Sequence, residues 1–157
     1  MLLFNFKKKG GRGLVKSNWI AQLCLLCLFS LSSQFCFAEL AIIVHPKNTL
    51  QVLSKAELKR IYLGVTEVFP NGLLISAVDQ PKQSSMKREF YKKVVGKGLP
   101  QVSAYWSRRI FTGKGVPPRA LKSDGEIKAW IASHPESIAY IDVKNVDHSV
   151  KTIFSVK

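Results

Sequence analysis

The segment from Leu73 to Gly96, LLISAVDQPKQSSMKREFYKKVVG, changes character halfway along. Leu73 to Val78 is an apolar run of strand length that breaks at Asp79 and Pro81, and an amphipathic stretch begins at the adjacent Ser84 and Ser85. Met86, Phe90, Tyr91, Val94 and Val95 share one helical face, while Lys87, Arg88, Lys92 and Lys93 point elsewhere. The spacing predicts strand, short loop, helix. Such a helix start leaves backbone N–H groups unpaired beside the positive end of the helix dipole, which suits an anion. The two serines have two readings, as helix caps or as hydrogen-bond donors to an oxyanion.

Upstream, Lys7, Lys8, Lys9, Arg12 and Lys16 precede an apolar run from Ile20 to Leu31, and Cys36-Phe37-Ala38 closes the leader with small residues at the minus-three and minus-one places. This pattern predicts a secretory signal over 1–38, cut between Ala38 and Glu39. The run is short of the roughly 20 residues that span a bilayer, and an uncleaved amino-terminal anchor is the alternative. All three cysteines, Cys24, Cys27 and Cys36, lie in the leader, so the chain from Glu39 onward has no thiol. Disulfide scaffolds, cysteine-ligated metals and cysteine nucleophiles are thereby excluded.

The leader carries 5 of the 24 basic residues and none of the 10 acidic ones, leaving 19 against 10, a net +9. That balance favours anionic partners, and secretion argues against nucleic acid among them. Residues 39–157 suffice for one domain with one core.

Leu40 to Val44 reads as a strand buried on both faces, and Ser54-Lys-Ala-Glu57 as a capping box opening a short helix that Gly64 stops. Phe69-Pro-Asn-Gly72 is a turn from which the Leu73–Val78 strand leaves. After Gly96 and Gly98, Pro100 heads a helix carrying Val102, Tyr105, Trp106, Arg109 and Ile110. Ser123-Asp-Gly-Glu126 repeats the capping-box spacing ahead of Ile127, Trp130 and Ile131. Ser137 to Ile141 reads as a strand, and Val150 to Phe154 as an edge strand. The predicted order is strand, helix, strand, three helices, two strands, which implies a three-layer α/β domain with a mixed sheet.

Several segments together resemble phosphate ABC transporter substrate-binding proteins of the type 2 periplasmic binding superfamily. They are Ile42 to Asn48, Leu53 to Gly64, Val78 to Phe90, the Tyr105-Trp106 helix and Ser137 to Ile141. The resemblance covers nearly all of the chain after the leader and implies a single lobe of a fold that in full-length members has two. It also implies a periplasmic location, a small oxyanion such as phosphate as ligand, the membrane subunits of an ABC importer as partners, and no cofactor and no catalysis. The family's helix is headed by Ser-Gly-Thr, with an arginine and an aspartate before it. Here Ser84 falls on the serine, Ser85 on the glycine, Met86 on the threonine, Gln80 on the arginine and Lys82 on the aspartate. The charge-assisted bidentate clamp is absent, which leaves an anion to the backbone N–H groups of Ser85, Met86 and Lys87 and the Ser84 hydroxyl.

A second candidate is the loop Thr112-Gly113-Lys114-Gly115, whose glycines allow close backbone approach to an anion and whose lysine adds charge; a plain turn is its other reading. Arg108 and Arg109 beside Trp106 read as an anion contact or as surface packing. His45, His134 and His148 have no ligand spacing, so no metal is expected, and no elbow, zinc-binding helix or carboxylate pair points to an enzyme. The leading expectation is a periplasmic, phosphate-binding-like domain without catalysis; the alternative is a secreted scaffold module that keeps the fold without the ligand.

Overall fold

The computed structural model describes residues 39–156. The signal expected over 1–38 lies outside the described residues. Strand β1 (Leu40–Val44) is followed by α1 (Lys55–Tyr62), β2 (Ser76–Asp79), α2 (Ser85–Phe90) running into a π-helical turn (Tyr91–Val95), and α3 (Leu99–Phe111). Then come β3 (Arg119–Ala120), α4 (Asp124–Ser133), β4 (Ser137–Asp142), a 3-10 turn (Val143–Asn145) and β5 (Lys151–Val156).

The five strands form one mixed sheet in the order β3-β2-β4-β1-β5. β1 runs antiparallel to both β4 and β5, and β2 runs parallel to both β3 and β4. All five residues of β1 are buried, as its uninterrupted apolar run requires of a strand covered on both faces. Its side chains alternate between two cores. Leu40, Ile42 and Val44 join a cluster with Leu58, Tyr62, Phe90 and Trp106 from α1, α2 and α3. Ala41 and Ile43 join a smaller one with Ile127 and Ile131 from α4. Helices therefore lie on both sides of the sheet, the three-layer α/β arrangement.

Three local features depart from the sequence reading. Leu73 and Leu74 do not extend β2; they stay exposed, because the Phe69–Gly72 turn folds them back so that Leu74 pairs with Val68 and Ile75 donates to the Glu67 carbonyl at 2.9 Å. β3, two residues without an apolar run, is an added strand. The edge strand β5 does not alternate cleanly, because Ile42 faces Phe154 while Ile43 faces Thr152, so Ile153 is an extra residue in a bulge.

Candidate functional site

The parallel pair β2 and β3 ends with Asp79 opposite Ala120. In open α/β sheets, crevices outside the carboxyl ends of parallel strands are where ligands bind. Asp79 and Ala120 both line a cleft of about 380 Å³, along with Lys82 and Lys87 on one side and residues of α3 and the Pro117-Pro118 segment on the other.

Asp79 is the centre of this place. Its carboxylate is nearly fully buried, and charge inside a protein is tolerated only when paired and hydrogen-bonded. The Lys87 ammonium stands 2.7 Å from it, the Tyr91 hydroxyl donates to it at 3.0 Å, the Gln80 backbone N–H at 2.8 Å, and the Tyr140 hydroxyl donates as well. Lys87 reaches back from the first turn of α2 to make that pair and also donates to the Gln80 carbonyl. Burial, and then the Asp79 charge, push the phenols of Tyr91 and Tyr140 above their ordinary range, so both stay neutral donors. Tyr62, pushed up by the same two causes, donates to the carbonyl of Val78 at 3.1 Å and stacks edge-on against Phe90 and Tyr140.

The structure divides the eight candidate residues. Ser84 caps α2, its hydroxyl accepting the Lys87 N–H at 3.4 Å. Ser85 is exposed, and Met86 is buried in the main core. None of these three lines the cleft, whereas Lys87 does. Gln80 turns the other way: its side-chain amide donates to Asp124 at 2.6 Å and to the Tyr140 carbonyl at 3.2 Å, tying β2 to the start of α4.

Thr112, Gly113 and Lys114 follow the end of α3. The Thr112 hydroxyl donates to the carbonyls of Arg108 and Arg109, closing the helix, and Gly113 takes the left-handed conformation with φ +66°. The Lys114 carbonyl accepts from the Arg109 guanidinium, which also donates to the Gly64 carbonyl at 3.0 Å. Arg109 is thus a strap between the two loops. Lys114 lines a second cavity of about 490 Å³, with Glu67, Arg109 and Arg119 as its other charged walls. Trp106, Pro117 and Pro118 belong to the walls of both cavities.

From sequence, Asp79 at the strand end reads as a residue that orients or caps the loop and no more; Tyr91 and Tyr140 as its donors, and Ser103 and Ser107 in the cleft wall, are missed. One signal was present: an acid closing an apolar strand ahead of a polar loop, where strand ends and ligand sites coincide. Among the described residues no helix is long and apolar enough to cross a membrane.

No family model matches the chain, and no curated protein matches it. Solved structures do. An ABC-type phosphate transport receptor from Vibrio cholerae aligns with a TM-score of 0.58 and 20% identity, over 74% of this chain and 46% of the other. A Clostridium perfringens protein described as a phosphate ABC transporter substrate-binding protein, solved with bound phosphate, aligns with a TM-score of 0.59 and 21% identity, over 74% and 45%. PstS from Borrelia burgdorferi gives 0.56 and 15%, over 74% and 47%. The chain spans about half the length of these structures, so it is similar in fold to a single lobe of phosphate ABC transporter binding proteins.

Proposed function

We propose that the chain is a secreted, non-catalytic binding lobe that holds a small oxyanion, phosphate or a close analogue, in the cleft at the carboxyl ends of β2 and β3. The observation that carries this reading is that Lys82, Lys87, Ser103 and Ser107 line one cleft at that position of the sheet. Lys82 has no ion-pair partner among the described residues, so its charge is available to a ligand. Lys87 shares its charge with Asp79. One free ammonium, one shared ammonium and two hydroxyls on a single lobe support a dissociation constant on the order of a millimolar. A membrane importer subunit is the partner that the likeness to transport receptors suggests.

A second reading rests on a different observation. Val116 is 78% exposed and Leu74 69%, and both stand on the wall of the larger cavity. Apolar side chains this bare on one region suit a protein partner. In that reading the lobe is a scaffold, and pull-down of a partner that phosphate excess does not release supports it.

The test of the leading reading is calorimetry with inorganic phosphate at low salt, on protein purified after expression of the full chain. Saturable heat, weakened several-fold by Lys82→Ala and by raising the salt to physiological strength, is the expected result. Heat that never saturates overturns it. Ser84→Ala places the ion: if that substitution abolishes binding and Lys82→Ala leaves it unchanged, the anion sits on the helix start and the cleft assignment falls.

A further inference from the structure

The cleft is built in two halves of opposite character. Lys82, Lys87 and Tyr91 line it near the end of β2, and α3 lines it with Val102, Trp106 and Ile110, among which stand Ser103 and Ser107, while Pro117 and Pro118 continue this mainly apolar wall. A bare phosphate ion can use the two serines of the second half but not its apolar side chains. A dehydrated dianion requires donors on every side, because each unpaired charged oxygen taken out of water costs several kcal/mol. Here Lys87 is already paired with Asp79, and the Gln80 amide is committed to Asp124 and Tyr140. A volume of about 380 Å³ also lies in the range of sites for small organic ligands, which bury an apolar body and fix it with a few polar groups. In the apolar half, Trp106 is 94% buried and its indole N–H has no acceptor among the described residues.

We propose that the ligand of this cleft is a soluble phosphate monoester carrying an aromatic or short aliphatic group, its phosphoryl end on Lys82 and Lys87 and its apolar end against Val102, Trp106 and Ile110. This rests on the anion-binding reading above and narrows it to a ligand class. Binding needs no step beyond association, so the ester leaves intact. Ile110 is 53% exposed, so it stands at the mouth, where replacing it perturbs the wall without opening the core.

The experiment compares three probes on the purified protein by calorimetry at one salt concentration: inorganic phosphate, phenyl phosphate and phenol. Phenyl phosphate is expected to bind at least about ten-fold tighter than inorganic phosphate, with phenol much weaker than either. Ile110→Ser should bring the ratio of the two phosphates towards one, with the thermal midpoint showing that the variant is folded. Lys82→Ala should weaken both phosphates alike. Equal affinity for inorganic and phenyl phosphate overturns the ester proposal and leaves the oxyanion reading standing. Phenol binding as tightly as phenyl phosphate overturns it too, because the cleft is then an apolar pocket indifferent to charge. Absence of binding by both phosphates removes the oxyanion reading itself.

Discussion

Asp79 closes the apolar run of β2, and four groups converge on it from β2, the helices after it and β4. Its partners Tyr91 and Tyr140 lie 12 and 61 residues along the chain. No periodicity links residues so far apart, so the sequence could show an acid at a strand end and nothing of what it holds. Gln80 is illegible for the same reason: its place on the family's arginine suggests a ligand contact, and its true partner Asp124 is 44 residues away. Removing the carboxylate with Asp79→Ala strands a lysine and two buried hydroxyls. It should therefore cost about 3 kcal/mol of stability, read as a lower urea midpoint at an unchanged slope. The tyrosines make a second prediction. Tyr62, Tyr91 and Tyr140 hold their protons in the folded state beyond the point, about pH 10, at which an unfolded tyrosine loses its own. Their contribution to stability is therefore whole below about pH 10 and falls as pH rises above it, because the unfolded chain then gives up protons that the folded one keeps. In an alkaline titration of a Tyr105→Phe variant, whose only tyrosines are these three, the tyrosinate absorbance should rise only together with the loss of helical circular dichroism. Phenolate appearing while the helical signal stays intact would mean that the three hydroxyls reach solvent.

Elements whose signals are local were legible, and elements made by distant partners were not. Ser54 and Glu57 form the reciprocal capping box their spacing announced: the Ser54 hydroxyl accepts the Glu57 N–H, and the Glu57 carboxylate accepts the Ser54 N–H at 2.7 Å. Ser123 caps α4 in the same way, but Glu126 turns one residue further back and accepts the Lys122 N–H at 2.8 Å. β3 exists only because Arg119 and Ala120 are laid beside β2, and two exposed residues carry no strand pattern of their own. The π-helical turn after α2 was hidden likewise, since its wide hydrogen bond from Gly96 to the Tyr91 carbonyl leaves the apolar face continuous through Val94 and Val95. Gly64 reads from sequence as a helix stop, and its surroundings demand more of it than that. Its φ is +61°, and a Cβ there would stand 2.8 Å from Cη2 of Trp106. Strained backbone and a ring held by the core act together, so Gly64→Ala should lower stability by about 2 kcal/mol and move the thermal midpoint down. A variant melting with the parent would show that the Trp106 ring yields without cost.

At the scale of the molecule, the three-layer architecture followed from one uninterrupted apolar strand and the alternation of helices around it. The strand order did not, because the placing of β1 between β4 and β5 depends on pairings about 100 residues apart in the chain. β1 also bears on where the chain could be cut without loss of contacts. Leu40 is paired on both sides, with Asp142 and with Val156, and the carbonyl of Glu39 accepts the Val143 N–H at 2.9 Å. Among the described residues the contacts around β1 reach back to the first residue after the expected cut, so removing residues beyond Ala38 would take away a hydrogen bond, and removing Leu40 a fully buried side chain. Burying a leucine of this kind is worth about 2 kcal/mol, a sizeable part of the stability of a domain this small. A cut after Ala38 would leave every one of these contacts in place. The protein recovered from the periplasm of expressing cells should therefore have a mass that corresponds to Glu39 as its first residue. A first residue beyond Leu40 would contradict the pairing of β1 between β4 and β5, and recovery of the whole chain in the membrane fraction would convert the leader from a signal into an anchor.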